Sequence, residues 1–200
     1  MPSPEQQLKQ AVKQDDLAAV RRLLAEGVDA NAKLPGRKMP LEFALAEERH
    51  AIAWELIEAG ARPRVKQNEN LLIDAPKLRD LDLLRRLVEL GADVNAADRA
   101  ETTPLLAAAE AGFYAAFEYL LAQGADPLAR NWKDSGVREV VERTRVFCRA
   151  CLKDDDDGEF AEQCREKLAD LDRIEQLFER SLSPEKLAEL RGTDEPAAES

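Results

Sequence analysis

The sequence predicts an all-α solenoid, in which helix pairs of about 33 residues stack side by side and a longer helical unit closes the row. Three observations predict it. The phrase LLAEG ending at Gly27 returns as LIEAG at Gly60, LVELG at Gly91 and LLAQG at Gly124, at spacings of 33, 31 and 33 residues. Before each glycine, apolar residues recur at i, i+3, i+6 and i+7, the signature of an amphipathic helix. After it comes a related turn, VDANAK, ARPRVK, ADVNAA and ADPLAR. One apolar stripe on a short helix cannot be covered within a single unit, so neighbouring units must stack to bury it.

The elements follow in order. Ser3-Pro4-Glu5 starts a first inner helix whose Gln6, Gln7, Lys9, Gln10, Lys13 and Gln14 give the polar cover an open end needs. Its outer partner carries Leu17, Val20, Leu23 and Leu24. The second unit weakens the pattern to His50, Ala53, Leu56 and Ile57; the third restores it with Leu81, Leu84, Leu87 and Val88, and the fourth with Tyr114, Phe117, Leu120 and Leu121. Each outer helix ends on glycine because the chain must turn there through a left-handed conformation. The units span about 4–33, 34–66, 67–97 and 98–130, within a repeat region of 1–133.

Beyond that region, WKDSGVREVVERTRVFCRACLK reads as one helix with Val137, Val140, Val141, Cys148, Cys151 and Leu152 on a face. LDRIEQLFE then repeats the outer-helix phrase with Leu171, Ile174, Leu177 and Phe178, and Ser183-Pro184-Glu185 starts a short last helix. Residues 134–191 thus form an elongated capping unit covering the last apolar face, and 192–200, GTDEPAAES within 192–200, reads as a disordered tail.

Thr103-Pro104-Leu105-Leu106-Ala107-Ala108-Ala109, then Gly112, then Gly124-Ala125-Asp126, together with Gly91-Ala92-Asp93-Val94-Asn95-Ala96, resemble the ankyrin repeat family over about residues 5–133. The family's Thr-Pro-Leu-His opening is kept here as Thr-Pro-Leu once, as Met39-Pro40-Leu41 in the second unit and as Asn70-Leu71-Leu72 in the third, without its histidine. Inner-helix capping bonds are therefore expected to be mostly missing, at about 0.5–2 kcal/mol for each lost cap. The resemblance implies an ankyrin-repeat solenoid of about four repeats that binds partner proteins through finger turns and a concave inner-helix face.

Composition removes other classes. A net charge of −11 over 200 residues argues against nucleic acid and anionic lipid as partners. No stretch has the length of a membrane helix, and MPSPEQQLKQ has no export pattern, so a cytoplasmic protein is expected. With His50 as sole histidine, sites needing two imidazoles are excluded. No nucleophile beside a base and no phosphate-binding glycine loop is present, so neither enzyme activity nor a cofactor is expected. Cys148, Cys151 and Cys164 read as buried reduced thiols; a redox or metal sensor built on them is the rival from a different class. The acidic run in KDDDDG, residues 153–158, fails calcium-loop spacing and reads as a solvated turn. His50 reads as a half-buried packing residue with one ring nitrogen bonded.

What remains is the finger edge. Lys33, Arg37 and Lys38, then Arg62, Arg64 and Lys66, segregate positive charge in the first two fingers. Arg99 and Glu101 in the third, and Arg130, Trp132 and Lys133 in the fourth, complete the partner-binding candidates. Trp132 either anchors a partner or tucks under the last unit. The expectation is a monomer that binds a protein with an acidic surface, as an adaptor or as a stoichiometric inhibitor or immunity protein masking an enzyme or toxin.

Overall fold

A computed structural model describes residues 2–34, 39–62, 71–154 and 158–192, and helix accounts for 67% of these described residues. Five helix pairs stack in two layers. The inner row is α1 (Pro4–Lys13), α3 (Pro40–Ala46), α5 (Leu71–Asp74), α7 (Pro104–Ala111) and α9 (Val137–Asp154). The outer row is α2 (Leu17–Ala25), α4 (His50–Glu58), α6 (Leu81–Glu89), α8 (Tyr114–Ala122) and α10 (Glu159–Ser181), and α11 (Pro184–Gly192) follows. Inner helices pack on inner helices from α1 to α9, and one apolar core runs the length of the stack, from Leu8 through Leu45, Leu72 and Leu106 to Ile174. No described helix is long and apolar enough to cross a membrane.

Inner helices start on more caps than the sequence implies. Ser3 accepts from the Gln6 N–H and Gln6 from the Ser3 N–H, a reciprocal box on α1, and Thr103 accepts from the Leu106 N–H on α7. Where the Thr is lost, the third helical residue compensates: Glu42 accepts from the Met39 N–H at 2.8 Å, and Glu139 from the Gly136 N–H at 2.9 Å. The expected deficit in capping is thus partly offset from inside the helix.

Three other expectations shift. The third inner helix is a single α turn continued by a 3₁₀ turn at Ala75–Leu78, because Pro76 lacks an N–H and its ring would crowd the carbonyl four residues back. The C-terminal unit's first helix begins at Val137 rather than at Trp132, with Asp134 at φ 57° in the preceding turn. On α6 the fully buried residues are Leu83, Leu84 and Leu87, while Leu81 and Val88 are partly covered.

The far end of the stack is finished with charge. Arg145 on α9, its side chain 10% exposed, reaches Glu142, Asp172 and Glu175 at 2.7, 3.0 and 2.8 Å. Burial alone would weaken its hold on the proton, but its hydrogen bonds to Glu175, Glu142 and Asp172 outweigh that and push its pKa up. Arg138 donates to the Leu190 carbonyl, tying α11 against α9.

Candidate functional site

The finger edge is built by short polar turns that fix its backbone. Gly27, Gly60, Gly91 and Gly124 end the outer helices at φ of 92°, 87°, 91° and 86°. A Cβ would meet nothing at these four positions, so backbone conformation alone selects glycine. Asp29, Asp93 and Asp126 each accept from the N–H two residues on. Asn31 then donates to the Gly60 carbonyl and accepts from the Arg62 N–H, and Asn95 does the same with Gly124 and Asp126. Each asparagine clamps its turn to the next one.

The third and fourth fingers share one construction. Asp98 accepts from the N–H groups of Ala100 and Thr102, and Asn131 from those of Lys133 and Ser135. Glu101 and Asp134 occupy the equivalent left-handed position, both at φ 57°. The Trp132 N–H donates to the Ala100 carbonyl at 3.0 Å, zipping the two fingers together. Trp132 therefore occupies the slot of Arg99, and its side chain remains at the tip, 64% exposed, with Lys133 Nζ 5.2 Å from the ring centroid. The last unit does not bury it.

Other candidates separate by what their charges meet. Lys33, Arg62 and Arg99 are exposed, and their side chains have no hydrogen-bond or ion-pair partner among the described residues. Glu101 is exposed beside Arg99. Arg130 differs: it pairs with Asp134 at 2.6 Å and with Glu139 at 3.2 Å, and so braces the fourth finger against α9. Arg37, Lys38, Arg64 and Lys66 lie outside the described residues, as do 155–157 of the acidic turn and 193–200 of the tail.

The exposed side of the inner helices is mostly self-paired. Lys77 meets Asp74, Arg143 meets Glu110, and Lys9 lies over the Phe43 ring at 5.7 Å. An open groove of about 960 Å³ beside α9 is lined by both signs of charge, including Arg138, Glu142, Arg143 and Glu175, with Val146. Free positive charge is thus found on the finger edge.

Residues 41–131 match the family model for ankyrin repeats, three copies. This segment is a run of ankyrin repeats. A comparison with curated proteins finds no match. The flanking pairs repeat the same turn construction beyond the matched segment: the first unit carries the same asparagine clamp as the third, and the last begins on the same finger as the fourth unit. Ankyrin repeats are generally protein–protein interaction modules and generally non-catalytic.

Several residues were invisible to the repeat pattern. The His50 side chain is half covered, 49% accessible, with one ring nitrogen bonded as expected, but its partner was not legible. Nε2 meets Asp80 Oδ2, and Trp54 Nε1 donates to the same oxygen at 2.9 Å, which assigns the proton on the histidine side to Nε2. Burial disfavours the Asp80 charge, but bonds from the Leu83 N–H, Trp54 and His50 outweigh it and hold the carboxyl below its ordinary range. Val146, Phe147 and Phe160 are exposed apolar side chains of the last unit. Phe147 was legible in principle, since it falls off the buried Val140, Val141 and Cys148 face of α9.

Proposed function

We propose that the chain binds a partner protein through its finger edge, with Trp132 as anchor and Lys33, Arg62 and Arg99 as free charge that meets an acidic surface. The observation that carries this reading is the contrast on one molecule of net charge −11. On the inner helices and the last unit Lys77, Arg143, Arg145 and Arg173 each meet a carboxylate, whereas these three, each on a different finger, are exposed and unpaired among the described residues. Unpaired loop charges steer encounter more than they hold a fold, and an exposed tryptophan on a backbone-zipped tip is a low-entropy anchor. Arg37, Lys38, Arg64 and Lys66 extend the same two fingers in sequence. Two narrower roles use this edge: an inhibitor or immunity protein masks an enzyme or toxin with it, and an adaptor adds a second face. A cytoplasmic monomer is the form in which one such edge stays free.

A photo-reactive residue placed at position 132, and separately at Glu58 on the outer row, tests the face. Cross-linking to a partner in native extract is expected from 132 alone. With the captured protein purified, Trp132→Ala is expected to weaken binding by about 2 kcal/mol or more. It should scarcely move the unfolding midpoint, because the ring is already exposed. The double reversal Arg62→Glu, Arg99→Glu is expected to slow association and flatten its salt dependence. Capture only from position 58, or an unchanged association rate at low salt, overturns the reading.

A further inference from the structure

The three cysteines form one cluster between α9 and α10. Cys148 on α9 is 1% exposed and Cys164 on α10 is 4% exposed, and the two helices pack on each other so that both thiols are buried within electrostatic reach of one another. Cys151 lies one helical turn beyond Cys148, within electrostatic reach of it, and is partly exposed. All three are free thiols, and the described residues supply no group of side chains arranged to hold a metal ion. Packing alone accounts for one small apolar side chain at a time. It does not account for two buried thiols on packed helices with a third, partly exposed, one turn away.

We propose that this cluster is a site of reversible thiol oxidation, in which a hydroperoxide enters at Cys151 and the stable product is a Cys148–Cys164 disulfide joining α9 to α10. The steps balance with hydrogen peroxide as the two-electron oxidant. The Cys151 thiolate attacks one peroxide oxygen, the O–O bond breaks, and Cys151 becomes a sulfenic acid as hydroxide leaves. The Cys148 sulfur then attacks the Cys151 sulfur, forming an S–S bond and expelling hydroxide, which takes up the Cys148 proton as water. Finally the Cys164 sulfur attacks Cys148, forming the interhelical bond and releasing Cys151 as thiolate, which recovers a proton. Two thiols and one peroxide become one disulfide and two waters.

The division of labour follows from access. Burial pushes the Cys148 thiol up, so this sulfur is shielded from solvent and poorly ionised toward an external oxidant, while Lys167 nearby favours its thiolate when the exchange occurs. Cys151 is the thiol an oxidant can reach. The exchange ends on Cys164 because Cys148 and Cys164 are the two thiols buried on the packed helices α9 and α10, where the product is shielded from solvent. The bond would close a loop containing the acidic run of residues 153–158, constraining the unfolded chain.

The test uses the full chain treated with hydrogen peroxide, then alkylated under denaturing conditions and mapped by mass spectrometry. The expected result is loss of two hydrogens, a linked Cys148–Cys164 peptide pair, reversal by dithiothreitol, and an unfolding midpoint raised by about 5 °C or more. Cys151→Ser, at a partly exposed position, is expected to slow formation of the bond by about tenfold or more while circular dichroism stays unchanged. Cys164→Ala is expected to leave oxidation at the Cys148–Cys151 pair or a dimedone-trappable sulfenic acid at Cys151. Over-oxidation of Cys151 to sulfinic acid with Cys148 and Cys164 still alkylatable overturns the proposal. So does a bond that forms as fast in Cys151→Ser as in the native chain.

Discussion

The junctions between units one and two and between units three and four are fastened differently from the junction between two and three. At the first two, Asn31 and Asn95 reach from one turn to main-chain groups of the next, donating to a glycine carbonyl and accepting from a backbone N–H. Four residues after Gly60, the register position of Asn31 and Asn95, the sequence has Arg64 instead. Between units two and three, the described polar link runs across the outer row, where Asp80 accepts from Trp54 and from His50. A main-chain clamp asks nothing of the neighbour's side chains and works in any unit that keeps the turn. A side-chain seam works at one junction only, and it depends on ionisation.

The largest expected effect is therefore at Asp80. Its Oδ1 also caps α6, accepting from the N–H groups of Asp82 and Leu83, so Asp80→Ala removes a cap and the seam together. A loss of about 3 kcal/mol is expected in urea denaturation, the sum of a lost N-cap and lost hydrogen bonds to a charged acceptor. A loss no larger than that of a surface substitution would show that the seam is ornamental. The pH dependence sharpens the point. Because the Asp80 carboxyl is held below its unfolded value, its contribution is full at neutral pH and is lost as the pH falls through the folded value, in the acid range. Asp80→Asn should accordingly flatten part of the acid limb of stability against pH; an unaltered limb would place the charge dependence elsewhere.

Next in size are the clamps. Asn31→Ala, at a partly exposed position, and Asn95→Ala, at an exposed one, each remove two bonds, and about 1–2 kcal/mol is expected for each. Being at separate junctions, the two losses should add within about 0.5 kcal/mol. If either clamp costs as much as Asp80→Ala, the distinction between the two kinds of junction fails.

The clamps and the seam also mark how far the sequence could be read. Four glycines at near-constant spacing, and apolar stripes before them, repeat often enough to fix units, layers and helix pairs. The turn asparagines share a register and could have been found with them. The seam could not, because Asp80 sits 30 residues from His50 and the pairing breaks the repeat rather than following it. The finger candidates were legible as charges, but sequence could not distinguish Arg130, bound to Asp134 and Glu139, from Arg99, bound to nothing described. Trp132 resisted for a similar reason: its exposure is set by a main-chain bond to Ala100 that no side-chain pattern encodes.

The smallest effect comes from the turns within the units flanking the seam. Glu48 and Arg79 both join an inner to an outer helix in the left-handed region, at φ of 57° and 49°, where the fourth unit has Gly112 at 60°. For a residue with a Cβ this conformation costs on the order of 1 kcal/mol, so replacement by glycine relieves strain at either site. The side chains decide the net sign. Glu48 is exposed and offers Lys77 only electrostatic attraction. Arg79 donates to the Gly112 carbonyl, pairs with Asp170 at 3.3 Å and lies 5.4 Å from the Phe113 ring centroid, linking the third unit to the fourth and to α10. Glu48→Gly is therefore expected to stabilise the chain by about 0.5–1 kcal/mol, while Arg79→Gly, relieved of the same strain, is expected to destabilise it by a similar amount or more. Thermal unfolding of the two variants side by side checks this. Equal shifts of the same sign would mean that backbone strain, and not contact across the junction, governs these turns.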